Sequence, residues 1–240
     1  MYINCMAGYA QRPMQLQTKT QTNKFIGVAF LRGNPGIMGE RIVMEATWGP
    51  FVHSEIFIQN GQDVRFYSAS SPRGEGLVPS ARLPMLPSED SKWAFVRFPL
   101  VQPGGYELAY AFILQILAMQ LPYNSHDLWQ CCVKLMLPFE RDLDCDNVNT
   151  WRQSGVFCSQ VCLLILRHMA RKGALQLTPT VTSSLEASNS RGCSPNALYS
   201  LLVPKNLAKK KCETSRICAW EARGFIHSRQ NHARDHRLGC

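Results

Sequence analysis

At positions 151–167 the chain reads Trp-Arg-Gln-Ser-Gly-Val-Phe-Cys-Ser-Gln-Val-Cys-Leu-Leu-Ile-Leu-Arg. Apolar residues recur at helical spacing from Cys158 onward, and Lys172-Gly173 follows them, so the pattern predicts a helix over 158–171. Cys158 would then stand on the first turn of that helix. A helix N-terminus carries roughly half a positive charge and offers unpaired N–H groups, which favour a thiolate. Because the thiolate is the nucleophilic form of cysteine, Cys158 is a candidate nucleophile.

A simpler interpretation of these thiols stays open. Cys158 could be a small residue packed against an apolar helix, with no chemical role. We interpret Cys162, one helical turn further in, as part of the core. The ten cysteines do not resemble a disulfide framework, because Cys131 and Cys132 are adjacent and Cys158 and Cys162 lie one turn apart. We therefore expect reduced thiols.

A histidine far upstream is the candidate general base. His53 opens a predicted strand, 53–59, and Asn60-Gly61 joins it to a second predicted strand, 64–70. An Asn-Gly pair between two such segments is the strongest short-range signal of a β-hairpin. A histidine at the start of a strand can face a cleft, although a surface or capping role is the alternative.

A third polar group is needed to hold an imidazole in the useful tautomer. Counting back from the hairpin turn places Ser68 opposite His53, to within one or two residues, so Ser68 or Ser70 is a candidate. Glu55 lies on the same strand face as His53 and is the alternative. His168 is not a candidate base, because it lies about 15 Å from the thiol along the same helix.

The rest of the pattern places strands before helices. Extended segments are predicted at 24–31, 41–45, 48–51 and 93–98, a short helix or turn at 128–135, and helices at 106–120 and 195–202, the last with Ser194 as N-cap. Strands followed by helices indicate an α+β fold.

The composition indicates one folded domain with polar ends. The chain has 240 residues, of which 45% are hydrophobic, enough for a single globular core. We expect a flexible polar arm at 1–22, a domain at 23–203, and a basic, Cys/His-containing, disordered tail at 204–240. No apolar run reaches the roughly 18 residues that a membrane span needs, and no secretory pattern opens the chain. These features predict a soluble, intracellular, cytoplasmic protein.

The net charge of +9 belongs to the ends of the chain. Residues 204–240 contain nine Lys/Arg and three Asp/Glu, so this tail could contact nucleic acid or an anionic membrane, or be a solvated extension. Its Cys/His spacing matches no zinc finger. Residues 142–153 lack the Gly and Glu that a calcium loop requires. We therefore expect no cofactor and no metal.

Several short patches together resemble a known superfamily. They are His53-Ser-Glu-Ile-Phe-Ile, Asn60-Gly61, Phe66-Tyr-Ser-Ala-Ser-Ser, Leu121-Pro-Tyr-Asn, Phe157-Cys-Ser-Gln and Cys193-Ser-Pro-Asn-Ala-Leu. The set resembles the circularly permuted papain-like hydrolases of the NlpC-related superfamily, which include YiiX-type proteins and lecithin:retinol acyltransferase-like enzymes. In these proteins the histidine strand precedes the cysteine helix, as it does here.

The resemblance implies a permuted papain-like fold, in which an antiparallel sheet packs against the cysteine-bearing helix. It implies Cys158 as nucleophile and His53 as general base, with Ser68 at the third position, where many relatives have an acidic or polar residue. Gln160 replaces the family's Glu. Relatives cleave peptide or amide bonds or transfer acyl groups from lipids, so peptide, amide and acyl-lipid substrates all stay open. A catalytically inactive binding domain on this fold and a nucleic-acid-binding protein are the alternatives.

Overall fold

The chain folds as an α+β protein, shown here by a computed structural model that describes residues 23–70, 75–80, 92–133 and 142–203. Within these residues the strands are β1 (Lys24–Arg32), β2 (Phe51–Asn60), β3 (Asp63–Ser70), β4 (Glu75–Pro79) and β5 (Trp93–Pro99). The helices are α1 (Met38–Thr47), α2 (Gly105–Ala118), α3 (Ser125–Val133), α4 (Asn149–Ser154), α5 (Cys158–Arg171), α6 (Pro179–Ala187) and α7 (Pro195–Leu202). The predicted arm at 1–22 and the predicted tail at 204–240 lie outside the described residues.

The five strands form one antiparallel sheet in the order β4-β3-β2-β1-β5. β2 is therefore the central strand, and it is buried on both faces. Ile56 and Ile58 belong to the main core, whereas Phe57 packs with Ala29 and Phe66 in a smaller cluster on the other face. A strand paired on both sides and covered on both faces is a rigid support for any side chain that it carries.

The hairpin predicted at Asn60-Gly61 is confirmed, with its loop one residue further along the chain. Asn60 pairs with Asp63, so the two-residue loop is Gly61-Gln62. Gly61 has a φ of 61°, a conformation that glycine adopts without steric cost and that two-residue hairpin loops require. When the loop shifts by one residue along the chain, each residue of β2 pairs with a β3 residue two positions away from the predicted partner. Ser68 therefore pairs with Glu55 rather than with His53, inside the predicted margin.

The cysteine helix forms the centre of the molecule. α5 begins and ends at the predicted residues, and all of 158–169 is buried, mainly against β2 and its neighbours. The charge inside this helix is satisfied. The Arg167 guanidinium donates to the Leu185 carbonyl at 2.8 and 3.0 Å and to Asp142 at 2.9 Å. Because the buried Arg167 guanidinium has these partners, α5 can lie in the core without the cost of an unpaired buried charge.

Two predicted extended segments were wrong, 41–45 and 48–51, although Phe51 at the end of the second begins β2. Arg41-Ile-Val-Met-Glu45 has the β-branched content of a strand, but it lies inside α1. The Glu40 carboxylate accepts a hydrogen bond from the Asn34 N–H at 2.5 Å, and Trp48 ends the helix with a φ of 56°. α1 has no buried residue, so these local contacts decide its conformation in place of core burial.

The sequence also failed to indicate β4, α4 and α6. Each has nine residues or fewer, which is short for recognition by periodicity. Among the helices of the described residues, none has the length and apolar character required to cross a membrane.

Candidate active site

The approach to α5 is held by a segment that follows α2. The Val156 N–H donates to the Pro122 carbonyl at 3.0 Å, and the Asn124 N–H donates to the Val156 carbonyl at 3.0 Å. The Asn124 side chain also donates to the Ser154 carbonyl at 2.8 Å. Gly155 has a φ of 69°, and a Cβ there would lie 2.7 Å from the Pro122 carbonyl oxygen. Only glycine fits this close approach, which fixes the direction from which the chain enters the helix.

Cys158 is the first residue of α5. Phe157 precedes it in an extended conformation, and the Gln160 side chain accepts a hydrogen bond from the Phe157 N–H at 3.3 Å. This is one half of a capping box, which stabilises the first turn of a helix. Cys158 is 2% exposed. The structure therefore has the Cys158 thiol at a helix N-terminus, as predicted, and the thiol is buried.

The structure brings His53 and Cys158 together. His53 is the third residue of β2, its side chain is 25% exposed, and it lies close enough to Cys158 for each group to shift the pKa of the other. The Nε2 atom lies 2.9 Å from Ser68 Oγ and 3.7 Å from Glu55 Oε1. Trp93 approaches the imidazole edge-to-face, with ring centroids 6.5 Å apart.

The electrostatics of the pair favour a charged imidazolium. Burial lowers the pKa of His53, but the charge of Cys158, its hydrogen bond to Cys158, and the nearby Glu55 carboxylate raise that pKa to about 10. His53 is therefore protonated at neutral pH when Cys158 is a thiolate.

The same pair favours a thiolate. Burial raises the pKa of the Cys158 thiol, but the charge and proximity of His53, together with the Ser54 N–H, outweigh burial and lower that pKa. The other buried thiols show the effect of burial without such a partner. It raises the pKa of Cys162 well above its ordinary value and the pKa of Cys193 to about 12.

Both candidates for the third position lie beside His53. Ser68 is within hydrogen-bond distance of the imidazole, whereas the Glu55 carboxylate lies 3.7 Å from Nε2, too distant for a short hydrogen bond but near enough to raise the pKa of His53. The buried Glu55 also accepts a hydrogen bond from Ser80 Oγ at 3.3 Å. Ser70, the other predicted serine, ends β3, where it pairs with Glu75 of β4. The tertiary structure thus surrounds the imidazole with a hydroxyl and a carboxylate.

Sequence reasoning missed Ser54. Alternation along a strand assigns neighbouring residues to opposite faces, so His53 and Ser54 were not expected to serve one site. Ser54 is fully buried, and its backbone N–H is among the groups that lower the pKa of the Cys158 thiol. Its position directly after the candidate base was the available signal. Only the packing of α5 against β2 shows that both residues reach Cys158.

Two groups that the sequence analysis set aside, His168 and the acidic loop at 142–153, lie apart from the Cys158 thiol. His168 stacks on Phe112 with ring centroids 3.7 Å apart, and its Nδ1 lies 2.8 Å from Asp146 Oδ1. Asp144, Cys145 and Asp146 bring possible metal ligands within 4.8 Å of one another. However, Asp146 is also paired with Arg171 at 3.0 Å. Asp144 also lies 3.7 Å from Arg171, so both carboxylates have a cationic neighbour within the protein.

Comparisons of the chain with protein-family models, with curated proteins and with solved structures found no significant match. The function of the protein must therefore be inferred from the geometry and electrostatics of the site around Cys158.

Proposed function

We propose that the protein is a cysteine-dependent hydrolase or acyltransferase in which the Cys158 thiolate attacks the carbonyl of an amide, peptide or ester. The observation that carries the proposal is the placement of Cys158 on the first turn of α5 and of His53 on β2, the strand against which α5 packs, with the pKa of the thiol lowered and that of the imidazole raised. A buried cysteine without a basic partner shifts in the opposite direction, as Cys162 does. Opposed shifts in one contacting pair are characteristic of an activated nucleophile.

The chemistry proceeds in two halves. The Cys158 sulfur forms a bond to the carbonyl carbon, and the carbonyl electron pair moves to oxygen, where N–H groups of the first turn of α5 stabilise the oxyanion. As the intermediate collapses, the bond to the leaving group breaks and His53 gives that group its proton. Water, or an acceptor hydroxyl or amine, then attacks the thioester while His53 takes its proton, and the thiolate is released.

Two features support a permuted papain-like arrangement for this proposal. An antiparallel sheet packs against the helix that begins with the nucleophile, and the strand with the histidine precedes that helix in the chain. The third position, with Ser68 in contact and Glu55 nearby, supplies partners that hold the imidazole. Peptides, amides and acyl lipids are the substrate classes to be tested.

A catalytically inactive binding domain on the same fold is the second candidate. It is favoured by the burial of Cys158, which is 2% exposed, and by a serine rather than a carboxylate at hydrogen-bond distance from the imidazole. A substrate must reach the sulfur for catalysis, whereas a binding domain needs no such access.

The test is formation of an acyl-enzyme. We would incubate the protein with p-nitrophenyl esters of short and long acyl chains and with acylated aminocoumarin peptides, and measure intact mass and product release. The proposal predicts an acyl adduct on the Cys158 peptide that is lost in Cys158→Ala and retained in the matched core variant Cys162→Ala. Equal turnover by the wild type and Cys158→Ala would exclude the proposed nucleophile. The absence of any adduct across the panel would support the binding domain.

A further inference from the structure

The turn that opens α7 contacts both elements of the candidate active site. On one side, Asn196 holds the beginning of β2. Its Oδ1 accepts a hydrogen bond from the Phe51 N–H at 2.9 Å, and its Nδ2 donates to the Phe51 carbonyl at 2.8 Å and to Thr47 Oγ1 at 2.5 Å. Phe51 lies two residues before His53 in the same strand.

The Asn196 side-chain amide makes hydrogen bonds with the Phe51 backbone of the kind that an adjacent strand would make. β3 pairs with β2 only from Glu55 onward, so the backbone of Phe51 lies beyond the β3 ladder. The side-chain amide of Asn196 offers one acceptor and two donors, as a neighbouring peptide group would. Asn196 is 7% exposed, so a group that could not make these hydrogen bonds would leave buried polar atoms unsatisfied.

On the other side, the same turn holds the beginning of the cysteine helix. Ser159, which follows the candidate nucleophile, donates from its hydroxyl to the Cys193 carbonyl at 2.6 Å. Ser159 is fully buried. The Ser194 side chain then caps α7 by accepting from the Ala197 N–H at 3.2 Å. Residues 193–196 therefore bind Ser159, which follows Cys158, and Phe51, which lies two residues before His53.

We propose that the turn 193–196 is a positioning element that sets the separation between His53 and Cys158, with Asn196 and Ser159 as its positioning residues. This inference rests on the proposed function, because it concerns the geometry of the same pair. Neither residue contacts the reacting atoms. Each acts through the backbone that carries the base or the nucleophile, in the way that supporting hydrogen bonds hold a catalytic constellation.

The expected effect follows from the distance dependence of charge attraction. If the separation of an imidazolium and a thiolate grows from ~4 to ~5 Å at an effective dielectric constant of ~20, the ion pair becomes about fourfold less populated. Loosening either contact should therefore reduce the thiolate fraction of Cys158 at low pH, even in a fully folded protein.

The experiment measures alkylation of Cys158 by iodoacetamide from pH 5 to pH 10, by peptide mass spectrometry, together with urea unfolding. The variants are Asn196→Leu and Ser159→Ala, and the matched control is Ser190→Ala. Ser190 is also fully buried and donates from its hydroxyl to Asp142 at 2.5 Å, in a contact outside this turn. Ser159→Ala removes one oxygen atom, so it gives a result even if Asn196→Leu fails to fold.

We expect Cys158 alkylation at pH 6.5 to fall about fourfold or more in Asn196→Leu and Ser159→Ala, and to remain at the wild-type rate in Ser190→Ala despite a lower unfolding midpoint. If the two test variants are destabilised but keep the wild-type alkylation profile, the turn is merely structural and the inference is overturned. His53→Ala separates the two proposals. An effect of His53→Ala with none from the turn variants rejects only the positioning role, whereas no effect of His53→Ala rejects the proposed function as well.

Discussion

Replacing His53 with alanine should strongly reduce the reactivity of Cys158 at low pH. In the wild type, His53 lowers the pKa of the buried thiol, and in the variant burial acts without that opposition and raises it. An ordinary thiol is about 1% thiolate at pH 6.5. A thiolate of lower pKa is intrinsically less nucleophilic, by about threefold per unit, which offsets part of the gain in thiolate. We therefore expect alkylation of Cys158 at pH 6.5 to slow by about tenfold or more.

The assay follows iodoacetamide labelling of each cysteine peptide across the pH range. Cys193 is an internal reference, because burial raises its pKa to about 12 and it should label slowly in all proteins. His126→Ala is the matched control, since His126 is a histidine of α3 with a side chain that is 77% exposed. Catalysis should rise with pH as Cys158 ionises and fall as the pH passes about 10, where the imidazolium of His53 loses its proton.

Two results would refute the reasoning. One is a Cys158 labelling profile in His53→Ala that superimposes on that of the wild type. The other is a wild-type Cys158 that labels at pH 6.5 no faster than Cys193. In either case the two residues do not form an ion pair, and the chemical basis of the proposed hydrolase is lost.

Two further predictions concern the third position and the support of the site. Ser68→Ala should lower activity about tenfold to a hundredfold, the value of one hydrogen bond to a charged group, because the His53 imidazole that contacts Ser68 is protonated at neutral pH. Glu55→Gln should move the alkaline limb of the pH–rate profile below 10, because the carboxylate raises the pKa of His53; an unmoved limb in Glu55→Gln would contradict this role of the carboxylate. Asp127→Leu should destabilise the protein by about 3–5 kcal/mol in urea unfolding, because the buried Arg191 loses an ion pair of 3.1 Å, and a loss below about 1 kcal/mol would show that the pair has little weight.

Local patterns predicted the cysteine helix well. The bounds 158–171 follow from apolar spacing and from Lys172-Gly173, and the structure has the same bounds. The last helix, with Ser194 as N-cap, is confirmed in the same way. Both depend on residues within one or two turns of each other. α6 shows that a similar signal was overlooked, because Thr178 caps it by accepting from the Val181 N–H.

Segments whose conformation depends on local hydrogen bonds and backbone angles were harder to predict. Residues 41–45 have the β-branched composition of a strand, yet they form part of α1, which has no buried residue. The hairpin was found from Asn60-Gly61, but a loop one residue further along moved Ser68 from His53 to Glu55 in the ladder. In both cases the outcome depends on local hydrogen bonds and backbone angles, which apolar patterning does not encode.

The sequence by itself determined the α+β class, the helix that begins at Cys158, and the two residues proposed for catalysis. These follow from short-range periodicity, capping and turn signals. Only the tertiary structure decided that His53 lies beside Cys158 and that Asn196 holds the strand of the base. Such contacts join residues far apart in the chain, and their distances are set by how α5 and α7 pack on β2. No local pattern specifies that packing, because it results from filling one core with all the elements together.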